Sequence, residues 1–497
     1  MDHSPFVIPR FFAYSNFMKI EIASRITKTD LLVLPFFAGE KPSRAQKSEL
    51  ESYVYPDFEA KTNETLLLYQ KNKLAPRILL VGLGEPEKAL PDTWRQAGGT
   101  TTKSLKKNIH SVTLLPPKED LYRLAAFVEG FLLGHYLYED FLRDEERRLP
   151  TIETFTVIVE DKKIAHLLEK KIHEIQIVTD AVKSVRDMVN SPSNVMSPSI
   201  FEHLGKLTAK NGFKIGCKIL DEKKLKKLGM GCLLGVGQGS KERPRMVILE
   251  YKYKPKNKRP IVLIGKGICF DSGGINLKTQ MLEDMKIDMA GAATVLGVFK
   301  ILGALRPELH VIGLMPLAEN MPDGGAIKSG DVLTAFNGTT IEVVNTDAEG
   351  RLILADALSY GVKAYNPEAT IDLATLTGAA ITALGYAITP FLTNSSVLKE
   401  KIETAAHSAD EKIWELPLEK TYRKDLQSPI ADLLNSNLKI GASTIQGGLF
   451  LEDFVGGKPW VHLDIAGTAY IPEPRPYLPK GATGKHVRTL WEFLKHY

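Results

Sequence analysis

Cysteine is almost absent: Cys217, Cys232 and Cys269 are the only three in 497 residues, and no two of them form a Cys-x-x-Cys pair. An odd, widely spaced set supplies neither a disulfide framework nor a thiolate zinc site, and it points to a reducing compartment, the cytoplasm. None of the eleven histidines falls in a His-Glu-x-x-His pattern, which removes the common helical zinc site. No stretch reads as the roughly 18 apolar residues of a membrane span, so no membrane attachment is expected. Pro9 and Arg10 interrupt the apolar run at 6–14, unlike a secretory leader. A strong charge of one sign is missing too. The net charge of +5 gives little support to a nucleic-acid partner, and the main basic cluster, 252–259, reads as a solvated connection between apolar runs.

What is present is ordinary globular material, 44% hydrophobic and 25% charged, in a chain too long for one core. The expected fold class is α/β in two domains. Strand-like runs at 19–22, 31–37, 77–83, 111–115 and 154–159 alternate with helical stretches, chiefly 120–142, and define a smaller N-terminal α/β domain over 1–163. A long amphipathic helix at 165–188 makes 164–194 a linking segment. Residues 195–497 form a larger α/β domain with a mixed, mainly parallel sheet. Its strands, at 246–249, 261–265, 310–316, 369–373 and 460–465, are apolar on both faces, and the helices at 290–305 and 352–364 cover them. In such sheets chemistry is sought beyond the carboxyl ends of the strands.

Several polar segments fall there. Asn345-Thr-Asp-Ala-Glu-Gly-Arg-Leu352 offers two carboxylates two positions apart, which an extended backbone points to one face. Asp347 and Glu349 would repel each other without a cation; taken alone, the pair reads first as an acidic surface turn closed by Gly350. After the strand at 261–265 come Lys266 and Asp271, in Gly265-Lys-Gly-Ile-Cys-Phe-Asp-Ser-Gly-Gly274, followed by Lys278. A dinucleotide loop is excluded because Phe270 stands where Gly-x-Gly-x-x-Gly needs its third glycine. Ser272 lacks the surroundings of a nucleophile elbow and reads as a turn residue. Asp288 precedes a small-residue helix, either as its N-cap or as a group reaching into a cleft.

Taken together, Gly265-Lys-Gly, Phe270-Asp-Ser-Gly-Gly274, Met285-Lys-x-Asp288 and the octapeptide 345–352 resemble the signature segments of the leucyl aminopeptidase family of two-metal exopeptidases. The likeness continues through Asp372-Leu-Ala-Thr-Leu-Thr-Gly378 and His462-Leu-Asp-Ile-Ala-Gly467, and covers most of 180–497. It implies that Lys266, Asp271, Asp288, Asp347 and Glu349 are ligands of two divalent ions, manganese or zinc, with magnesium or cobalt as alternatives. Lys278 and Arg351 are implied as the catalytic pair, with bicarbonate at Arg351. Met285, Thr375, Gly378, Ala466 and Ala469 would line the pocket for the first side chain. The implied activity is release of N-terminal residues, leucine and other apolar ones, from peptides with a free N-terminus, by a hydroxide shared between the ions. A homohexamer is implied as well. Lys266 would have to be a neutral ligand; read from its neighbours alone, it is an ion-pair partner of Asp271 or Asp288. Lys278 and Asp288 are ten apart where the family pattern has eleven, which bears on the shape of the 279–284 loop. The alternatives are a DNA-binding or architectural protein on this fold, and an inactive homologue.

Overall fold

The computed structural model describes residues 18–50, 57–70, 74–437, 439 and 441–497. The apolar run at 6–14 lies outside them. Among the described residues the chain divides into two compact units, one of 18–183 with 472–480 and one of 184–471 with 481–497.

The smaller unit is built on a six-stranded sheet in the order Lys19–Ala23, Thr154–Ile158, Ser111–Leu114, Leu31–Phe36, Arg77–Gly82, Thr65–Tyr69. All neighbours are parallel except the last pair. Alternate residues of the central strands enter different cores: Leu31, Val33, Leu79 and Val81 on one face, Leu32, Leu34, Ile78 and Leu80 on the other. That is why these runs are apolar throughout. The helix expected to reach 142 is Leu121–Gly134. Glycine is a poor helix former, and after it His135 leaves the helical region, with its ring Nε2 2.9 Å from Pro150 O. Residues 472–480, which the sequence puts in the larger domain, belong with this unit; Tyr477 Oη donates to Asp92 Oδ1 at 2.8 Å.

The larger unit carries a nine-stranded sheet. Its order is Ile413–Glu415, Thr389–Thr393, Trp460–Asp464, Ala369–Ala374, Ile261–Gly265, His310–Asn320, Arg245–Lys252, Ile215–Leu220, with Gly267–Asp271 beside the far half of His310–Asn320. The central neighbours are parallel and antiparallel pairs lie toward both edges, so the sheet is mixed and mainly parallel. Helices Ala290–Leu305 and Gly350–Tyr365 are buried against it. Asp356 ties the second of these down by accepting from Leu233 N and Phe336 N, both at 2.8 Å. The segment Leu282–Leu305 is long and apolar enough to cross a membrane by length and composition, against the reading of the sequence. Its apolar window is 83% buried within the protein, because its alanines and glycines are packing surface for the sheet.

That packing is close. A Cβ on Gly291 would lie 2.1 Å from Leu373 O, and one on Gly265 would lie 2.3 Å from Gly291 O. Helix and strands meet backbone to backbone at the carboxyl end of the sheet. Gly291→Ala is therefore expected to lower the urea midpoint, by a loss of about 1–3 kcal/mol typical of an overpacked core. An unchanged midpoint would mean that the helix can back away freely.

Candidate active site

Strand Ile261–Gly265 stops and the chain resumes as Gly267–Asp271, with Lys266 in the break. Its backbone is fixed on both sides: its N–H donates to Leu373 O at 3.0 Å, and its carbonyl accepts from Ala292 N at 2.9 Å. The buried side chain runs against Gly350, where any Cβ would come within 2.3 Å of Lys266 Cε. Lys266 Nζ thus reaches Asp288 Oδ1 and Oδ2 at 2.8 Å, Glu349 Oε1 at 2.9 Å and Thr375 O at 2.8 Å. Lys278 makes a second group, 2.8 Å from Asp271 Oδ2 and in direct contact with Asp347 Oδ1.

The local backbone explains how the carboxylates arrive. Asp288 sits in a 3-10 turn, Leu282–Met289, and the N-cap position of helix Ala290–Leu305 falls on Met289. Asp288 therefore does not cap the helix; it accepts from Lys266 and, at 2.6 Å, from Thr375 Oγ1. Glu349 holds the N-cap position of helix Gly350–Tyr365, yet its side chain makes no cap bond. Asp347 and Glu349 converge through a turn, not through an extended segment: Ala348 N donates to Asn345 O at 3.1 Å and Asp347 N to Asn345 Oδ1 at 3.0 Å. Ser272 is a turn residue as read from the sequence, donating to Asn320 O at 2.7 Å and accepting from Gly274 N at 3.2 Å.

Four carboxylates here face two ammonium groups, Lys266 and Lys278. Burial, reinforced by the Asp271 charge, pushes Glu349 up to about 8 in spite of Lys266. Burial raises Asp288 to about 6, with Lys266 opposing, and burial together with Asp271 raises Asp347. Burial works against the charge on Lys266, but Asp288, Glu349 and Asp271 outweigh it and hold its pKa above the ordinary lysine range. Lys278 is raised in the same way, by Asp271 and Glu349 against burial. Burial lowers Arg351 to about 10, with Glu349 and Asp464 opposing.

All of these groups line one cavity of about 590 Å³. Met285, Thr375, Gly378 and Ala466 line it as well. Ala469 does not: it is buried, and its carbonyl accepts from Thr483 N at 2.9 Å. Arg351 Nη1 donates to Asn435 O at 2.8 Å, and its buried Nε has no hydrogen-bond partner.

Two family profiles match the chain: cytosol aminopeptidase family, catalytic domain, over residues 183–491, and the N-terminal domain of the same family over 43–145. The chain belongs to the cytosol aminopeptidase family. A probable cytosol aminopeptidase of Geotalea uraniireducens is 41% identical over 449 residues, covering 89% of this chain and 90% of the relative. One from Desulfotalea psychrophila is 40% identical over 492 residues, 94% and 96% of the two chains. Among solved structures, a tomato leucine aminopeptidase mutant aligns with a TM-score of 0.86 at 32% identity, over 97% of this chain and 98% of that one. The bottromycin maturation enzyme BotP in complex with Mn aligns with a TM-score of 0.84 at 33% identity, over 94% and 99%. Membership makes this protein a metal-dependent aminopeptidase, a hydrolase acting on peptides.

The aminopeptidase site suits such metals on its own terms. Asp271, Asp347 and Glu349 each offer an oxygen within 4.8 Å of the others. Glu349 Oε2 is buried with no hydrogen-bond partner, an acceptor whose burial only a cation or a donor would compensate. Hard carboxylate donors match divalent ions of the magnesium, manganese and zinc type. Sequence reasoning did not single out the buried amides Asn320 and Asn435, which bind to these segments. Asn435 accepts from Val344 N at 3.0 Å and donates to Asn345 O at 2.7 Å. The only sequence signal for either is a polar residue at the end of an apolar run.

Protons and cations compete for these carboxylates. Because Asp288 and Glu349 titrate above their ordinary values, cation affinity is expected to be weak below pH 6 and to rise through pH 8, as the protonated acids are emptied. Calorimetric titration with Mn2+ across this range checks the slope; Glu349→Gln should flatten its upper part. An affinity independent of pH between 6 and 8 would contradict the reading.

Proposed function

We propose that this aminopeptidase holds two divalent ions between Lys266, Asp271, Asp288, Asp347 and Glu349, with Lys278 and Arg351 as its catalytic side chains. The observation that carries this is the meeting of Asp271, Asp347 and Glu349 oxygens in one small volume, beside the Lys278 ammonium. Manganese or zinc is the proposed occupant, magnesium or cobalt the alternative. The Mn complex of BotP supports the first. Such ions lower the pKa of water and polarise a peptide carbonyl.

The chain's own groups supply the rest. To join the ligands Lys266 must give up its proton, which costs about 4–5 kcal/mol at pH 7 from an ordinary pKa near 10.4 and more from the raised one its carboxylate neighbours give it, until cations offset their charge. Its backbone anchoring and its seat against Gly350 hold the nitrogen at the carboxylates in either state. Lys278 keeps its proton and stabilises the negative oxygen that develops on the attacked carbonyl, in a site partly shielded from water. Arg351 cannot act as a base. Fixed by Asn435 O and with Nε–H free, it is a rigid anchor for an anion, for which bicarbonate is proposed. Met285, Thr375, Gly378 and Ala466 give an uncharged wall for the first side chain, in keeping with leucine and other apolar residues. A homohexamer in the cytoplasm is proposed from the family likeness; light scattering on the purified protein tests the assembly.

Asp347→Ala and Glu349→Ala are expected to abolish hydrolysis of a leucine anilide while the protein stays folded, as judged by circular dichroism. Near-normal turnover by either would remove the two-metal assignment. Lys278→Ala is expected to lower kcat by about 10²–10³, the usual loss of an oxyanion donor, with Mn2+ still bound. N-acetyl-leucine anilide should be inert; its efficient cleavage would mark an endopeptidase or a general amidase.

A further inference from the structure

Asn320 ends strand His310–Asn320, is 2% exposed, and is not part of the cavity wall. Its side-chain nitrogen donates to Asp271 Oδ1 at 2.8 Å and to Thr346 O at 3.0 Å, so both N–H bonds of the amide are used. Its backbone carbonyl accepts from Ser272 N at 3.0 Å and from Ser272 Oγ at 2.7 Å. One residue thus grips the chain just beyond Asp271 and the turn that carries Asp347. Asp271 Oδ1 accepts a second hydrogen bond, from Gly273 N at 2.9 Å, which leaves Oδ2 as the oxygen turned toward Lys278 at 2.8 Å.

We propose that Asn320 is a positioning residue of the metal centre: its amide sets the rotamer of Asp271 and its spacing from the Asp347 turn, so that both carboxylates meet the same cation. This rests on the reading of Asp271 and Asp347 as ligands. The plainer account is a buried amide satisfying the end of a strand. Such an amide pairs with whatever backbone lies nearest, whereas both acceptors here belong to ligand-bearing segments, 49 and 26 residues away in sequence. Only a group with two N–H bonds on one atom can serve both acceptors at once. An aspartate of the same shape would set an oxygen against two oxygens. Partners that orient a ligand in this way typically change metal affinity 10–100-fold when removed.

The test is a calorimetric titration of the metal-free full chain with Co2+, with the visible spectrum of bound cobalt recorded in parallel. Wild type, Asn320→Asp, Asn320→Ala and Asp347→Ala are compared. Asn320→Asp and Asn320→Ala are expected to weaken at least one cobalt-binding event 10–100-fold and to alter the cobalt spectrum, while circular dichroism of the metal-free variants matches wild type. The isosteric aspartate keeps the volume, so it serves if the alanine variant fails to fold. Wild-type affinity and spectrum in a folded Asn320 variant, beside an impaired Asp347→Ala, would overturn the inference alone. An unimpaired Asp347→Ala would remove the ligand reading, and the inference with it.

Discussion

Carboxylates buried side by side are costly, and the contact between Lys266 Nζ and the Asp288 and Glu349 oxygens is what lets them share the carboxyl end of the sheet. Much of the local architecture serves that contact. The break between two strands exposes the lysine backbone to hydrogen bonds from both sides, and the glycines around it let strand, helix start and side chain approach without a Cβ between them. Remove that seat and Asp288, in the turn before one helix, and Glu349, at the start of the other, lose their common partner. The Lys278 group repeats the arrangement at the solvent side, with its ammonium between Asp271 and Asp347. The site is thus two lysine-centred clusters joined through the Asp347 to Glu349 turn.

The acidic residues of the other signature segments do different work. Asp464 accepts from Leu376 N at 3.1 Å, Thr377 Oγ1 at 2.6 Å and Ala466 N at 3.2 Å, and so fixes the loops that form the pocket wall. Asp372 is fully buried and takes Trp460 Nε1 and His462 Nδ1, each at 2.6 Å, across the register of two parallel strands. Buried hydrogen bonds of this kind stiffen the strands and loops around the cavity, even though His462 Nε2 itself has no hydrogen-bond partner.

The fold was legible where physics is local. Strands apolar on both faces announced covered parallel sheets, and helix Ala290–Leu305 fell where a helix was expected to cover them. The seven residues that motif likeness singled out as ligands and catalytic pair lie on one cavity. What was not legible depends on tertiary partners. Strand Gly267–Asp271 was not read from the sequence; its Gly267 is a close-packing position, where a Cβ would lie 2.5 Å from Pro316 O of strand His310–Asn320. The two carboxylates of the octapeptide converge by a turn because Asn345 folds back on Asp347, an option that alternation rules do not weigh. Asn320 and Asn435 carry no signal beyond ending an apolar run, since a buried amide is explained only by the groups it meets.

The smaller unit has its last sheet strand by Ile158, yet it also includes 472–480, where a Cβ on Gly99 would meet Pro476 at 2.6 Å and Tyr477 reaches Asp92. During synthesis, the segment made first, up to Lys183, therefore emerges with one packing surface uncovered, and it waits through some three hundred residues of the larger unit before its final strap leaves the ribosome.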